Sequence, residues 1–184
     1  MSGPSGAGKG TLIQGLLERC PQVSATVSAT TRPRRPGEVD GVHYHFLDED
    51  EFVRRIERGH FLEHVTYAGN RYGTLASEVE RILSEGRAPV VEIELVGARA
   101  VRAAMPQSLA VFIAPPSVEE LARRLERRGT DAPADIEARM RTSEIELRAR
   151  DEFDEVIVND DREAATRRLI EAVSRACAFV PEPA

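Results

Sequence analysis

Lys9 is the only lysine in this chain, and every other basic residue is arginine. It sits in Gly3-Pro4-Ser5-Gly6-Ala7-Gly8-Lys9-Gly10-Thr11, a glycine-rich run that reads as a loop opening a helix. A compact ammonium on a flexible stem suits a point contact with β- and γ-phosphate oxygens. In such a loop successive backbone N–H groups turn inward to cradle phosphate oxygens, and the following helix adds its positive end. Gly6 and Gly8 let the backbone approach without a Cβ in the way. The usual pattern has Ser or Thr directly after the lysine, where its hydroxyl meets Mg²⁺. Here Gly10 stands at that place and Thr11 follows. The expected metal contact therefore runs through Thr11 or through water, with Glu92 a carboxylate that either holds that water or merely ends a strand. The plain alternative for the whole run is a glycine-rich turn with an accidental lysine.

Two arginine groups form further candidates. Arg32 and Arg35 are close together in a Pro-rich loop and could grip one monophosphate with planar, charge-assisted forks. Taken alone, they read as readily as a solvated loop, and Glu63 as a surface carboxylate at a strand end. Arg124 and Arg128 are four apart on one helix face, Arg127 lies beside them, and Arg139 follows on the next helix. Residues 129–135 between them hold Gly, Thr, Pro and Asp and read as a mobile cover. Arginines on a closing cover stabilise charge spread over a transferring phosphoryl group and exclude water. The alternative is a salt-bridged helix surface, since Glu119, Glu120 and Glu126 are near.

The elements that must carry these residues alternate. Thr11 to Arg19 reads as a helix, Gln22 to Val27 as a strand, Thr30 to Gly41 as a loop and His43 to Leu47 as a short strand before an acidic helix start at Asp48. Phe61 to Tyr67 and Arg71 to Thr74 read as strands around the turn at Gly69, and Ser77 to Ser84 as a helix ended by Gly86. Val90 to Leu95 reads as a strand carrying Glu92 and Glu94. Leu109 to Ile113 is a nearly continuous apolar run, the mark of a buried parallel strand. Ser117 and Glu120 form a capping box for a helix with Val118, Leu121, Ala122 and Leu125 inward. A helix from Ala134 to Arg150 with Ile136, Met140 and Leu147 on one side, a strand Val156 to Val158, and a helix capped by Asp160 or Asp161 and running through Ala176 complete the order, with a frayed tail from Pro181 to Ala184. Strands alternating with helices imply an α/β fold with a parallel sheet.

Composition bounds the partners. A length of 184 residues suits one domain, and 41% hydrophobic content can build a sizeable core. A net charge of −6 and a pI near 5.4 exclude a broad nucleic-acid surface. No apolar run suggests a membrane span and no signal peptide is evident, so a cytoplasmic protein is expected. Cys20 and Cys177 form no metal or redox spacing and read as two core-type thiols.

The chain resembles the guanylate kinases, P-loop nucleoside monophosphate kinases that move a phosphoryl group from ATP to GMP. The resemblance covers nearly the whole length. It rests on the phosphate loop, on Val27-Ser28-Ala29-Thr30-Thr31-Arg32-x-x-Arg35-Pro36-Gly37-Glu38, on Gly41-Val42-His43-Tyr44-His45-Phe46, and on Gly69-Asn70-x-Tyr72-Gly73-Thr74. Phe112 to Ser117, Arg127-Arg128-Gly129-Thr130 and Val158-Asn159-Asp160 complete it, in the family's order. The resemblance implies a core of residues 1–27 and 75–184, a mixed α/β GMP-binding insertion at about 28–74 and an arginine-bearing lid at about 127–139. It implies that Gly3 to Thr11 bind ATP, with Arg127 or Arg128 near the adenine and Asn159 at its edge, and that Lys9, Arg124, Arg128 and Arg139 are catalytic. It places Ser28, Arg32, Arg35, Tyr44, Glu63, Tyr72, Gly73, Thr74 and Glu94 around GMP, with Mg²⁺ accompanying ATP and dGMP a further possible acceptor. One carboxylate at Glu63 can accept from both guanine donors, N1 and N2, whereas adenine would leave it unpaired. Glu94 stands where the family commonly has Asp. Gly10 resembles the loop of adenylate kinases and keeps a general nucleoside monophosphate kinase as an alternative. A catalytically dead interaction module is a second alternative, disfavoured by the intact loop, Lys9 and lid arginines.

Family members begin with a short apolar strand before this loop, whereas only Met1 and Ser2 precede Gly3 here. The first core strand is therefore expected to be missing through N-terminal truncation, most simply by a start codon assigned too far downstream. The competing expectation is a real start, with the gap tolerated or filled by another segment.

Overall fold

The computed structural model of the chain describes residues 1–67, 69–127 and 133–177. In chain order the elements are α1 (Lys9–Arg19), β1 (Val23–Ala25), β2 (Ala29–Thr30), β3 (His45–Phe46), α2 (Glu49–Glu57), β4 (Phe61–Tyr67), β5 (Asn70–Leu75) and α3 (Ala76–Ser84). They continue with β6 (Ala88–Val90), α4 (Leu95–Ala104), β7 (Val111–Ala114), α5 (Val118–Arg127), α6 (Pro133–Arg148), β8 (Glu155–Val158) and α7 (Arg162–Cys177). The chain divides into two compact units. The first comprises Met1–Pro21, Glu92–Ala98 and Leu109–Ala184, and the second Gln22–Val91 and Arg99–Ser108.

In the first unit the apolar run becomes β7, buried at every position, and β8 lies parallel beside it from Val111↔Glu155 to Ala114↔Val158. Its pattern has no polar alternation because both faces of a parallel core strand are covered. On its other side Ser2 forms a parallel bridge with Phe112. The Ser2 N–H donates to the Val111 carbonyl (2.9 Å), the Ile113 N–H to Ser2 (2.8 Å) and the Ile93 N–H to Met1 (3.0 Å). Backbone groups of Ile93 and β7 are thus paired by Met1 and Ser2, immediately before the glycine-rich loop. α1 packs against α7. A Cβ at Gly15 would lie 2.9 Å from the Thr166 side chain, which fixes how closely the two helices cross. Asp161 caps α7 through the Ala164 N–H (2.8 Å).

In the second unit β1 and β6 pair in parallel. A mixed sheet of order β3-β2-β5-β4 stands beside them in sequence. β2 pairs parallel to β3 and antiparallel to β5, and β4 pairs antiparallel to β5. Ala29, Phe52 and Leu75 form its buried core, with Leu47, Ile56 and Phe61 packed around them. The Phe52 and Phe61 rings stack at 4.4 Å. Asp48 caps α2 by accepting from the Glu51 N–H (2.7 Å).

Several expectations are corrected. The strand expected from Val90 to Leu95 ends at Val90, and Leu95 opens α4. Glu92-Ile93-Glu94-Leu95 alternates like a strand, but the buried Leu95 starts a helix rather than continuing the strand. The expected Thr30–Gly41 loop starts inside β2, because Ala29 and Thr30 pair with His45 and Phe46 on one side and with Gly73 and Tyr72 on the other. Helix α6 stops at Arg148, and residues 150–152 continue as a short 3₁₀ turn. Val118 is exposed rather than inward, leaving Leu121 and Leu125 as the fully buried positions of α5. Cys20 is buried as expected, but Cys177 is exposed near the end of α7. The expected tail Pro181 to Ala184 lies outside the described residues.

Candidate active site

The loop from Gly3 to Gly8 is shaped by positions that reject a side chain. Gly3, Gly6 and Gly8 all have positive φ (139°, 94° and 92°). A Cβ at Gly3 would lie 2.2 Å from the Ile113 carbonyl oxygen, so the loop starts pressed against β7. Gly8 is the N-terminal cap of α1 in a left-handed conformation and supplies no side-chain bond. The first N–H groups of α1, from Lys9 to Thr11, therefore have no partner within the helix and face an anion-ready terminus.

Lys9 is only 8% exposed. Its Nζ donates to the carbonyls of Gly3 (2.6 Å) and Pro4 (3.3 Å), which hold the ammonium inside the loop. Asn159 is buried under the same loop and donates from Nδ2 to the Ala7 carbonyl (2.7 Å). Arg124 lies on α5, where Nε donates to Glu120 (2.9 Å) and Nη2 to the Asn159 carbonyl (3.0 Å). Arg139 on α6 donates from Nη1 to Ser5 Oγ (3.0 Å). Lys9, Asn159, Arg124 and Arg139 thus converge on one loop. Arg127 is exposed at the end of α5, and Arg128, expected in the lid, lies outside the described residues together with residues 129–132. Ser117 Oγ accepts from the Glu120 N–H (3.1 Å), which is one half of the expected capping box, while the Glu120 carboxylate goes to Arg124 and Arg123.

Thr11 and Glu92 are exposed. Glu92 Oε2 lies 4.0 Å from where a Cβ at Gly10 would stand, so a carboxylate borders the position that usually carries the hydroxyl. Among the described residues no group of three metal-ligating side chains occurs.

The first unit also holds a pair that the sequence reading missed. Glu146 on α6 is 5% exposed and hydrogen-bonded to Glu94, with Lys9 close enough to act on its charge. Burial, then the hydrogen bond and charge of Glu94, push the Glu146 carboxyl up to about 8, so it is held largely protonated at neutral pH. The signal available was Glu146 falling on the same face as Arg139 at helical spacing, masked by the expectation that an acid in a polar helix is solvated.

In the second unit a separate cluster forms along the mixed sheet. Glu63 on β4 faces Thr74 on β5, and the Thr74 hydroxyl donates to Glu63 Oε1 (2.7 Å). Glu63 is 6% exposed, and burial pushes its carboxyl up, partly offset by the Thr74 bonds. A Cβ at Gly73 would lie 2.8 Å from both the Glu63 carbonyl and the Phe61 ring, so Gly73 is required by packing. Tyr44 and Tyr72 meet edge to face at 6.2 Å, and the Arg32 guanidinium lies 5.4 Å from the Tyr44 ring centre and 5.8 Å from that of Phe46. Arg32 also bonds Glu38 (2.7 Å), whose other oxygen accepts the Arg35 N–H (2.7 Å). These bonds hold the Glu38 carboxyl down at about 2. The Arg35 side chain is exposed, and Ser28 is half-buried beside β2, its carbonyl accepting the His45 N–H (2.9 Å). Eight of the nine residues expected around GMP lie in this unit, whereas Glu94 lies in the first.

Residues 1–176 match the guanylate kinase family model. The chain belongs to the guanylate kinase family. It is 52% identical over 170 residues to the guanylate kinase of Frankia casuarinae, covering 92% of each chain. It is 50% identical over 175 residues to that of Rubrobacter xylanophilus, covering 95% of this chain and 92% of the relative. The crystal structure of guanylate kinase from Anaplasma phagocytophilum superposes with a TM-score of 0.77 at 30% identity, over 97% of this chain and 85% of the other. As the resemblance implied, the family is that of the guanylate kinases. Among the described residues no helix is long and apolar enough to cross a membrane.

Proposed function

We propose that the chain transfers the γ-phosphoryl group of ATP to GMP, giving ADP and GDP, in purine nucleotide metabolism and GMP recycling. The observation that carries this reading is the buried Lys9 held by Gly3 and Pro4 inside a loop that runs into a helix N-terminus, in a chain of the guanylate kinase family.

ATP is read onto the first unit. The loop N–H groups and Lys9 take its β- and γ-phosphates, and Arg124, Arg128 and Arg139 stabilise the charge that spreads over the transferring group. Arg127 and Asn159 are assigned to the adenine end, with Asn159 also holding the loop through Ala7. Mg²⁺ is read as arriving with ATP. It keeps several waters and takes only one or two protein oxygens besides the phosphates. Thr11 and Glu92 fit that requirement, given the Glu92 carboxylate beside Gly10. The metal would neutralise charge on the phosphate oxygens.

GMP is read onto the second unit. Arg32, Arg35, Tyr44 and Tyr72 take its phosphate, and Ser28, Glu63, Gly73 and Thr74 take the base. Glu63 accepts from guanine N1 and N2, and Ser28 or Thr74 donates to O6. Glu94 is carried by the resemblance to the same substrate. No strong side-chain base is required, because the attacking phosphate oxygen is already anionic. The expected setting is the cytoplasm, and neither nucleic acid nor a membrane is expected as a partner.

The test is ADP release with GMP, dGMP, AMP, UMP and dTMP as acceptors. GMP should be strongly preferred over AMP, and equal turnover of the two would overturn the assignment.

A further inference from the structure

The stretch from Thr26 to Ser28 links the β1–β6 pair to the mixed sheet, and its backbone changes partners from one residue to the next. The Thr26 N–H donates to the Val90 carbonyl of β6 (3.0 Å), whereas Ala29 and Thr30 are already paired with β3 and β5. Between them the Val27 N–H donates to a side chain, Glu78 Oε2 (3.2 Å). A backbone N–H turned away from water needs such an acceptor, and a charged one makes the stronger bond.

Glu78 stands in the first turn of α3, the helix that follows β5 directly. An acid at that place is favoured by the positive end of the helix. Arg81, one turn on, donates from Nη2 to Oε2 (3.0 Å) and from Nε to Oε1 (3.4 Å). His45 on β3 approaches from the other side, with Nε2 3.7 Å from Glu78 Oε1. That nitrogen is buried and has no hydrogen-bond partner among the described residues, so the carboxylate meets it as a charge rather than as an acceptor. Burial penalises the Glu78 charge, but the bonds from Arg81 and Val27 prevail and hold its carboxyl below the ordinary range.

The residues that Glu78 meets adjoin two that are read onto GMP. Val27 precedes Ser28, assigned to the base, and His45 follows Tyr44, assigned to the phosphate. The two segments are also joined to each other, the His45 N–H donating to the Ser28 carbonyl (2.9 Å). One carboxylate on α3 therefore holds the backbone at the base end and faces the strand that carries the phosphate end.

We propose that Glu78 is a positioning residue for the acceptor nucleotide, which sets the place of Ser28 through the Val27 N–H and of Tyr44 through His45. The inference rests on reading the mixed sheet as the GMP site.

The test compares Glu78→Ala and Glu78→Gln in the intact chain, with kcat and with KM for GMP and for ATP measured beside thermal melts. Alanine removes both the acceptor of the Val27 N–H and the charge facing His45. Glutamine keeps an oxygen for the N–H and removes the charge. E78A should raise the KM for GMP about tenfold, the scale of a lost hydrogen bond to a charged group. Its kcat at saturating nucleotides should stay within about threefold of the parent and its KM for ATP within about twofold, since acceptor binding alone is touched. E78Q should raise the KM for GMP by less, about threefold, because the N–H keeps its acceptor. An unchanged KM for GMP in E78A would overturn the proposal, as would an equal rise in both KM values. A loss confined to kcat, which is what a smaller folded fraction gives, would make Glu78 structural and overturn it too. If E78A shows no cooperative melt, E78Q decides: a raised KM for GMP with that for ATP unmoved supports the proposal, and an unmoved KM for GMP overturns it. Absence of GMP kinase activity in the parent chain, read first in the same assay, would instead sink the functional reading beneath it.

Discussion

Gly8 and Asn159 fit so closely that a Cβ at position 8 would lie 2.3 Å from Asn159 Nδ2. That nitrogen is already committed to the Ala7 carbonyl at 2.7 Å. Gly8→Ala therefore meets both a clash and a left-handed backbone, the latter alone costing roughly 1–2 kcal/mol. The variant should melt lower than the parent and lose most GMP kinase activity. Parent-like values for both would show that the loop does not depend on this contact.

Lys9→Arg should also lose most activity although the charge is kept. The Nζ sits 2.6 Å from the Gly3 carbonyl in a nearly closed loop, and a planar fork cannot take the place of a compact ammonium there. Near-normal turnover with an unchanged circular dichroism spectrum would contradict the role given to Lys9.

Glu63→Gln tests base selection. Thr74 donates to Glu63 Oε1, which orients the carboxylate. An amide in its place sets a donor against a guanine donor and should reduce the GMP-over-AMP preference by about 1–3 kcal/mol. The ratio of kcat/KM for the two acceptors measures it, and an unchanged ratio would remove Glu63 from the base site.

Stability should fall as pH rises through the neutral range. Glu146 is raised in the folded chain from 4.5 to about 8, so the folded state binds more protons than the unfolded state between those values. Its contribution is fully present below about 4.5 and is lost as pH passes 8. Glu63, also raised by burial, acts in the same direction. Glu38 acts oppositely at the acid end, since its carboxyl is held at about 2 and its contribution is lost only as pH falls below 4.5 toward that value. Melts from pH 5 to 9 should show the neutral-range decline, and E146Q should flatten it. A decline of equal slope in the variant would assign it elsewhere.

Much of this was legible in the residues. The phosphate loop, the apolar run of β7, and the strands bearing Glu63 and Thr74 announce themselves by local signals: glycine spacing, unbroken apolarity and turn chemistry. What escaped were features settled by packing. α4 was hidden because an alternation of four residues looks alike in a strand and at a helix start. Glu146 was missed because its neighbour Glu94 is more than fifty residues earlier in the chain, which local spacing does not reveal. The anchoring of Asn159 beneath Ala7 likewise joins distant segments, and spacing carries no trace of it.

The ion pair between Arg32 and Glu38, with the Arg35 N–H on the same carboxylate, means that the proposed acceptor loop is never without an anion of its own. Under the proposed reading, an entering phosphate would meet an Arg32 guanidinium already paired and would exchange with a resident carboxylate rather than fill empty space. Part of its attraction goes into that exchange, so singly charged ions, which match the resident only on equal terms, gain little hold. On that reading the loop would give up some affinity and in return screen its visitors by charge before the base is read.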